Sequence, residues 1–458
     1  MRFAGWRRWI DEHALARSSD QPRPIQIRLD FPPTNRYTPP RSRSTVSLAE
    51  EPMPCVSGAS ALRLDQISND PIEPNGSYSQ VVTMRYRVAA PDLSGNESAY
   101  VNECLRSTWI SSNGPFLGKF EASVADYTNT RHGIATCNGT VALHLALTGL
   151  GIGPGDEVIV PSLTFVATAN AVVYCGATPV FADSDQDTWC ISVQSVARLL
   201  SPRTRAIIPV HLYGHACDMG PLLELARRKG IWVIEDCAEA LGATYEGRPI
   251  GSFGTAGTFS FYGNKLVTTG EGGMVVTNDE PLAERLRLLR GQGMDPERRY
   301  WHPIVGFNYR MTNVAAALGL AQMERIDQLL HDRKQVAAWY NERLGNLGSL
   351  VLPPEAVGTT NAFWMYSVLT PNAVWRDRLM ADLAKRGIET RPFFYPLHEF
   401  PMYQGHRNDN GCPTVRDLSY RGLSLPTSSY LREEDIDVIT GELRELLRQY
   451  PTPSARAA

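Results

Sequence analysis

WVIEDCAEALGATYEGRPIGSFGTAGTFSFYGNKLVTTGEGGMVVT, residues 232–277, carries three short apolar runs, WVIED (232–236), TFSFY (258–262) and MVVT (274–277), with glycine turns between them. Near-continuous runs rich in Val, Ile and Phe read as strands buried on both faces. The same pattern extends upstream through VIVP (158–161), PVFAD (179–183) and AIIPV (206–210), where helical periodicity fills the intervals. Strands that alternate with helices predict an α/β fold with a mostly parallel central sheet covered by helices. A long amphipathic segment over 312–344, Ala-rich in its first half, ends the alternation. Beyond it WMYSVLT, RDRLMADLAKRG and TRPFFYP form a shorter α+β stretch. The expected organisation is a large α/β domain over residues 84–338 and a small C-terminal α+β domain over 339–458.

The first 83 residues differ in kind. They hold 10 of the 32 prolines and 10 arginines but no lysine, with no sustained period of 3.6 or 2. They are expected to be a disordered extension, or to precede a true start at Met84. Asp11 and Glu12 count against a transit peptide. Across all 458 residues, 45 basic side chains face 48 acidic ones. That balance leaves no cationic excess for general nucleic-acid binding. Eight cysteines without a C-x-x-C pair suggest neither a zinc site nor a disulfide framework. With no apolar run of eighteen residues, a cytoplasmic protein without membrane spans is expected.

Three strand ends carry candidate chemistry. Lysine is scarce: Lys119, Lys229, Lys334 and Lys385 have plain helical or loop surroundings, whereas Lys265 follows an apolar strand and precedes Thr-Thr-Gly-Glu-Gly-Gly. An amine beside hydroxyls and close-approach glycines is placed like a Schiff-base lysine, although a solvated hairpin lysine reads equally well from that spacing alone. Asp236 ends WVIED at the sheet edge where open α/β proteins bind ligands, and Glu239 lies one helical turn on. By itself such an aspartate is more often a helix cap. In TCNGTVALHLALTGLG (136–151) a strand breaks at Asn138-Gly139-Thr140 into a helix, which suits a phosphate by free N–H groups and dipole. Each signal is weak alone. Together they match three parts of one phosphorylated aldehyde cofactor.

These segments, with PSLTFVATANAVVYCGATPVFAD, GFNYRMTNVAAALG and TRPFFYPLHEFPMY, resemble the DegT/DnrJ/EryC1/StrS sugar aminotransferases, from about Met84 to the last helix. Within that family STWISSNGPFLGKFE, the Glu of EDCAEALGA and YWHPIVGFNYRMTN are similar to the GDP-perosamine synthase group. The resemblance implies a fold-type I enzyme using pyridoxal 5′-phosphate. It implies that Lys265 binds the cofactor aldehyde, Asp236 the pyridine nitrogen, and Gly139, Thr140 and Ser260 the phosphate. Phe165 would stack on the ring, and Glu239 would stand beside the cofactor. Asn308 would reach the phosphate of a second subunit, accompanied by Arg310, which implies a homodimer with shared sites. His302, Arg310, Arg391, Phe394 and His398 would line the sugar pocket. Tyr262 and Leu266 depart from the family's commoner residues outside the proposed chemistry.

The expected reaction moves an amino group from L-glutamate to a nucleotide-linked 4-keto-6-deoxyhexose for surface polysaccharide or deoxyaminosugar synthesis. Amination of a dTDP- or UDP-linked ketosugar at C3 or C4, a related sugar dehydratase, and a noncatalytic regulatory homologue are the alternatives. In the dehydratase branch a histidine replaces the lysine, so Lys265 speaks against that reading. A nicotinamide site is weaker still, because the glycines of GLGIGPGDEV follow a helix and precede a strand without G-x-G-x-x-G spacing. His211 and His215 are four apart, but Gly214 between them argues against a helical metal pair.

Overall fold

The computed structural model describes residues 84–450; segment 1–83 and the reading given to it lie outside the described residues. Seven strands form the central sheet: β1 (His132–Thr136), β2 (Glu157–Pro161), β3 (Thr178–Ala182), β4 (Thr204–Ile207), β5 (Trp232–Asp236), β6 (Ala256–Ser260) and β7 (Gly273–Thr277). Their order is β1-β7-β6-β5-β4-β2-β3, and only β7 runs antiparallel to its neighbours. The fold is therefore α/β with a mostly parallel sheet.

Successive residues of one strand pack into opposite layers, because side chains alternate across a strand. Ile159, Val180, Ile207 and Val233 enter one apolar cluster, while Val158, Val160, Phe181, Ala206 and Ile234 enter another. Both faces are covered, which is why the strands lack a polar alternation.

Two strands are displaced from their predicted bounds. AIIPV pairs only to Ile207 because Pro209 has no N–H for the ladder; its carbonyl instead accepts from the Asp236 amide at 2.9 Å. β6 ends at Ser260, opposite Gly273, so Phe261 and Tyr262 pass into the turn that carries Lys265. A Cβ at Gly273 would sit 2.4 Å from the Asn138 carbonyl oxygen, so glycine is what allows the turn after β1 to approach β7.

The segment expected as one helix over 312–344 is two, Asn313–Met323 and Ile326–Leu344. Contacts from upstream residues hold the break. Gln322 donates to the Asp92 carbonyl and to Glu97, Arg325 pairs with Asp92, and Glu324 accepts from Asn96 and Tyr100. None of these partners is close in sequence. Past the second helix lies an antiparallel sheet of β8 (Tyr366–Leu369), β10 (Gly422–Leu425) and β9 (Arg391–Pro392), with β10 in the middle. Val336 and Tyr340 pack there with Ile439 and Leu443 of the helix Glu433–Gln449, and Tyr86 joins the same cluster. Among the described residues, no helix is long and apolar enough to cross a membrane.

The segment that leads into β6 is tied to the sheet by Glu235, which is fully buried. Its carboxylate accepts from the amides of Gly251, Phe253 and Gly254 at 2.7–2.8 Å and from His211 Nε2 at 3.2 Å. His211 Nδ1 accepts from the Cys217 amide, so the ring proton sits on Nε2 and the imidazole is neutral. Glu235→Ala would orphan three N–H donors at once, one buried and two partly buried. We expect a loss of about 3 kcal/mol or more of unfolding free energy by urea denaturation; a loss below about 1 kcal/mol would show that water or another acceptor replaces the carboxylate.

Candidate active site

β1, β5 and β6 run in the same direction, so the turns that follow them gather at one edge of the sheet. A cavity of about 640 Å³ opens there, lined by Asp236, Glu239, Ser260 and Lys265 together with Gly139 and Thr140. Phe165, Arg391 and Phe394 line it as well. Nine of the residues singled out from the sequence thus meet around a single space.

Each wall has a local cause. After β1, Asn138 caps the helix Gly139–Gly149 by accepting from the Val141 amide at 3.0 Å. The amides of Gly139 and Thr140 have no acceptor among the described residues, and both face the cavity end of the helix. A Cβ at Gly139 would come within 2.8 Å of the Ser260 Cβ, so a larger residue would close the cradle between the two turns. Asp236 is buried; one carboxylate oxygen accepts from Thr168 Oγ1 at 2.8 Å and the other from the Ala238 amide at 3.1 Å. Each oxygen keeps a further lone pair for the cavity. Glu239 accepts from the Tyr213 amide at 2.8 Å.

Burial dominates the electrostatics. It pushes the Asp236 carboxyl up, pushes the Glu239 carboxyl up to about 7, and pulls the Lys265 amine down to about 8 against the attraction of Glu239 and Asp236. An amine and an acid titrating this close to neutrality can exchange a proton with a bound substrate at little cost.

Four residues named from the sequence are not part of the cavity wall. His398 is held away by Ser162, 2.7 Å from its Nδ1, with its side chain nearly buried. His302 is exposed, with Nδ1 3.0 Å from the Gln292 carbonyl oxygen. Asn308 is exposed and accepts from Arg310 Nε and Nη2 at 3.0–3.1 Å. Arg310 bridges to Thr136 of β1, outside the wall. Conversely, Tyr213 and Trp364 line the cavity without a signal in the sequence. Tyr213 adopts a left-handed conformation at φ 52°, and its ring stacks on Phe394 at 5.4 Å. Trp364 belongs to a run that reads simply as a strand. The two histidines spaced by four face different partners, since His215 Nε2 accepts from the Ala356 amide.

The family model for the DegT/DnrJ/EryC1/StrS aminotransferase family matches residues 91–444. The chain belongs to that family. Among aminotransferases of this kind, the GDP-perosamine synthase of Caulobacter vibrioides is 54% identical over 366 residues, covering 79% of this chain and 98% of that one. The GDP-perosamine synthase of Vibrio cholerae is 42% identical, covering 77% and 96%. Among solved structures, the putative sugar aminotransferase Spr1654 from Streptococcus pneumoniae in its PLP-form superposes with a TM-score of 0.75 at 27% identity, over 79% of this chain and 98% of that one. The fold of this DegT/DnrJ/EryC1/StrS aminotransferase is thus shared with relatives over nearly all of their length.

The raised Glu239 pKa has a sign that can be checked. Between the usual 4.5 and about 7 the folded chain holds a proton that the unfolded chain releases, so this group's contribution to stability falls as pH rises through that window. Glu239→Gln removes the cost. Relative to the parent, E239Q should therefore gain stability between pH 4.5 and pH 7 in urea denaturation; a difference that does not change with pH would mean that Glu239 is ionised throughout.

Proposed function

We propose that this chain is a pyridoxal 5′-phosphate-dependent aminotransferase that carries an amino group from L-glutamate to the C4 keto carbon of a GDP-linked 4-keto-6-deoxyhexose. The observation that carries the reading is the convergence of Lys265, Asp236 and the unpaired amides of Gly139 and Thr140 on one cavity. The identity with two GDP-perosamine synthases supports the substrate class.

The residues present fit the cofactor. Gly139 and Thr140 offer two free amides at a helix N-terminus, and the hydroxyls of Thr140 and Ser260 lie in the same cradle, a donor set suited to a phosphate. Asp236 offers a lone pair for a protonated pyridine nitrogen, and Phe165, just over half exposed, offers an aromatic face beside it. When bound, pyridoxal phosphate supplies an aldehyde that amines attack and a ring that draws in electrons. Lys265 would hold the aldehyde of the bound group, and its freed amine would be placed to move a proton to and from the Cα of the amino donor. Asp236 would hold the pyridine nitrogen and favour its protonated form. With the keto sugar, Lys265 would move the proton in the opposite direction. Arg391, whose side chain contacts Glu389 at 3.3–3.4 Å, and Phe394 border the space left for the sugar. Two copies pair in this reading, and Asn308 and Arg310 of each complete the cavity of the other, in a cytoplasmic enzyme.

The decisive experiment loads the protein with pyridoxamine phosphate, offers GDP-, dTDP- and UDP-linked ketosugars, and identifies the aminated product by NMR. Amination at C4 of the GDP-linked substrate is expected. Amination at C3, or preference for another nucleotide, would overturn the substrate assignment while keeping the reaction class. Lys265→Ala should lower multiple turnover by at least about 10²-fold. Asp236→Asn should slow the single-turnover proton shift; an unchanged rate would remove Asp236 from its role.

A further inference from the structure

Lys265 is the amine on which the proposed reaction turns, and the inference here rests on that reading. Its Nζ lies 3.5 Å from the centre of the Trp364 indole, and it has no hydrogen-bond acceptor among the described residues. The indole is fixed from several sides. Its Nε1–H donates to the carbonyl of Asn264, the residue directly before Lys265, at 2.9 Å. Its ring lies 6.3 Å from that of Tyr213 at an angle of 18°. Its own carbonyl accepts from Arg333 Nη1 at 2.5 Å.

Arg333 makes that last contact informative. Its side chain is 2% exposed, its Nε has no partner, and it has no carboxylate partner among the described residues. A buried guanidinium is costly unless it is bonded or paired, and here the Trp364 carbonyl is its acceptor. The helix Ile326–Leu344 thus spends a buried cation on fixing the backbone of the residue beneath Lys265.

We propose that Trp364 is a positioning residue that holds the free amine of Lys265 on its π face while the cofactor carries nitrogen, with Asn264 and Arg333 setting the indole. The amine must leave and rejoin the cofactor in every cycle. Between those events a carboxylate would bind it by taking or sharing a proton, whereas an indole face attracts the ammonium without accepting one. The charged groups around Lys265 are Asp236 at the end of β5, Glu239 just beyond it, Arg391 on β9, and Arg333. The two arginines oppose the ammonium form, and the π face offsets them.

The test follows acetylation of Lys265 by acetic anhydride against pH, read by peptide mass spectrometry on the full chain stripped of cofactor. The parent midpoint is expected at about 8. Fluorinated tryptophans keep the shape of the ring while draining its quadrupole, so incorporating mono-, di- and trifluorotryptophan should lower the midpoint stepwise, by about one unit over the series. In Trp364→Phe the midpoint should stop responding to fluorination of the other tryptophans. A midpoint indifferent to fluorination in the parent overturns the proposal, and so does a Trp364→Phe protein that responds as the parent does. These readouts require no sugar turnover. Failure to form any amino sugar would therefore sink the functional reading and leave the role of Trp364 to be judged separately.

Discussion

An amine, Lys265, and two buried carboxyls, Asp236 and Glu239, share the wall of one cavity, and most of the architecture serves that arrangement. Lys265, Asp236 and Glu239 would each be cheaper to keep in solvent. They stay near one another because the strand ends that carry them are bound into a rigid sheet, and because burial shifts each toward the uncharged form instead of expelling it. The result is that Glu239 and Lys265 have proton affinities that lie close together. Bulk water would separate them by several units.

Support for this arrangement comes from a second tier of buried polar groups. Glu235 is not part of the cavity wall, yet its carboxylate ties the segment that leads into β6, and neutral His211, to β5, the strand that ends in Asp236. Tyr213 ties Glu239 to the C-terminal part of the chain: its amide donates to Glu239, and its hydroxyl accepts from the Phe394 amide. Its left-handed backbone is a local cost that such a bridging role explains. Arg333 and Trp364 complete the same tier on the side of Lys265. Alignment of the central amine therefore depends on residues scattered from 211 to 394.

Much of this was legible in advance. Apolar runs separated by helices announce a parallel sheet because strands covered on both faces cannot alternate polar and apolar residues, and Val158 and Ile159 do pack into opposite layers. Strand-end positions marked Asp236 and Lys265, and the Asn-Gly-Thr break marked the helix N-terminus. Less legible were features set by distant partners. The interruption near Arg325 is held by Asp92, Asn96, Glu97 and Tyr100, and periodicity over 312–344 carries no trace of them. The same blindness hid Trp364, whose side chain reaches an amine 99 positions earlier.

Sequence alone determined the class of the fold and the approximate positions of the strands, and singled out Lys265 and Asp236 as candidates, because periodicity, scarcity of lysine and turn chemistry are local properties. Tertiary structure decided what surrounds them. It moved His398 onto Ser162, left His302 and Asn308 exposed, and brought Tyr213 and Trp364 to the cavity wall. Which groups are desolvated, and which charge or ring faces a given amine, depends on contacts between segments hundreds of residues apart, and those exist only once the chain has packed.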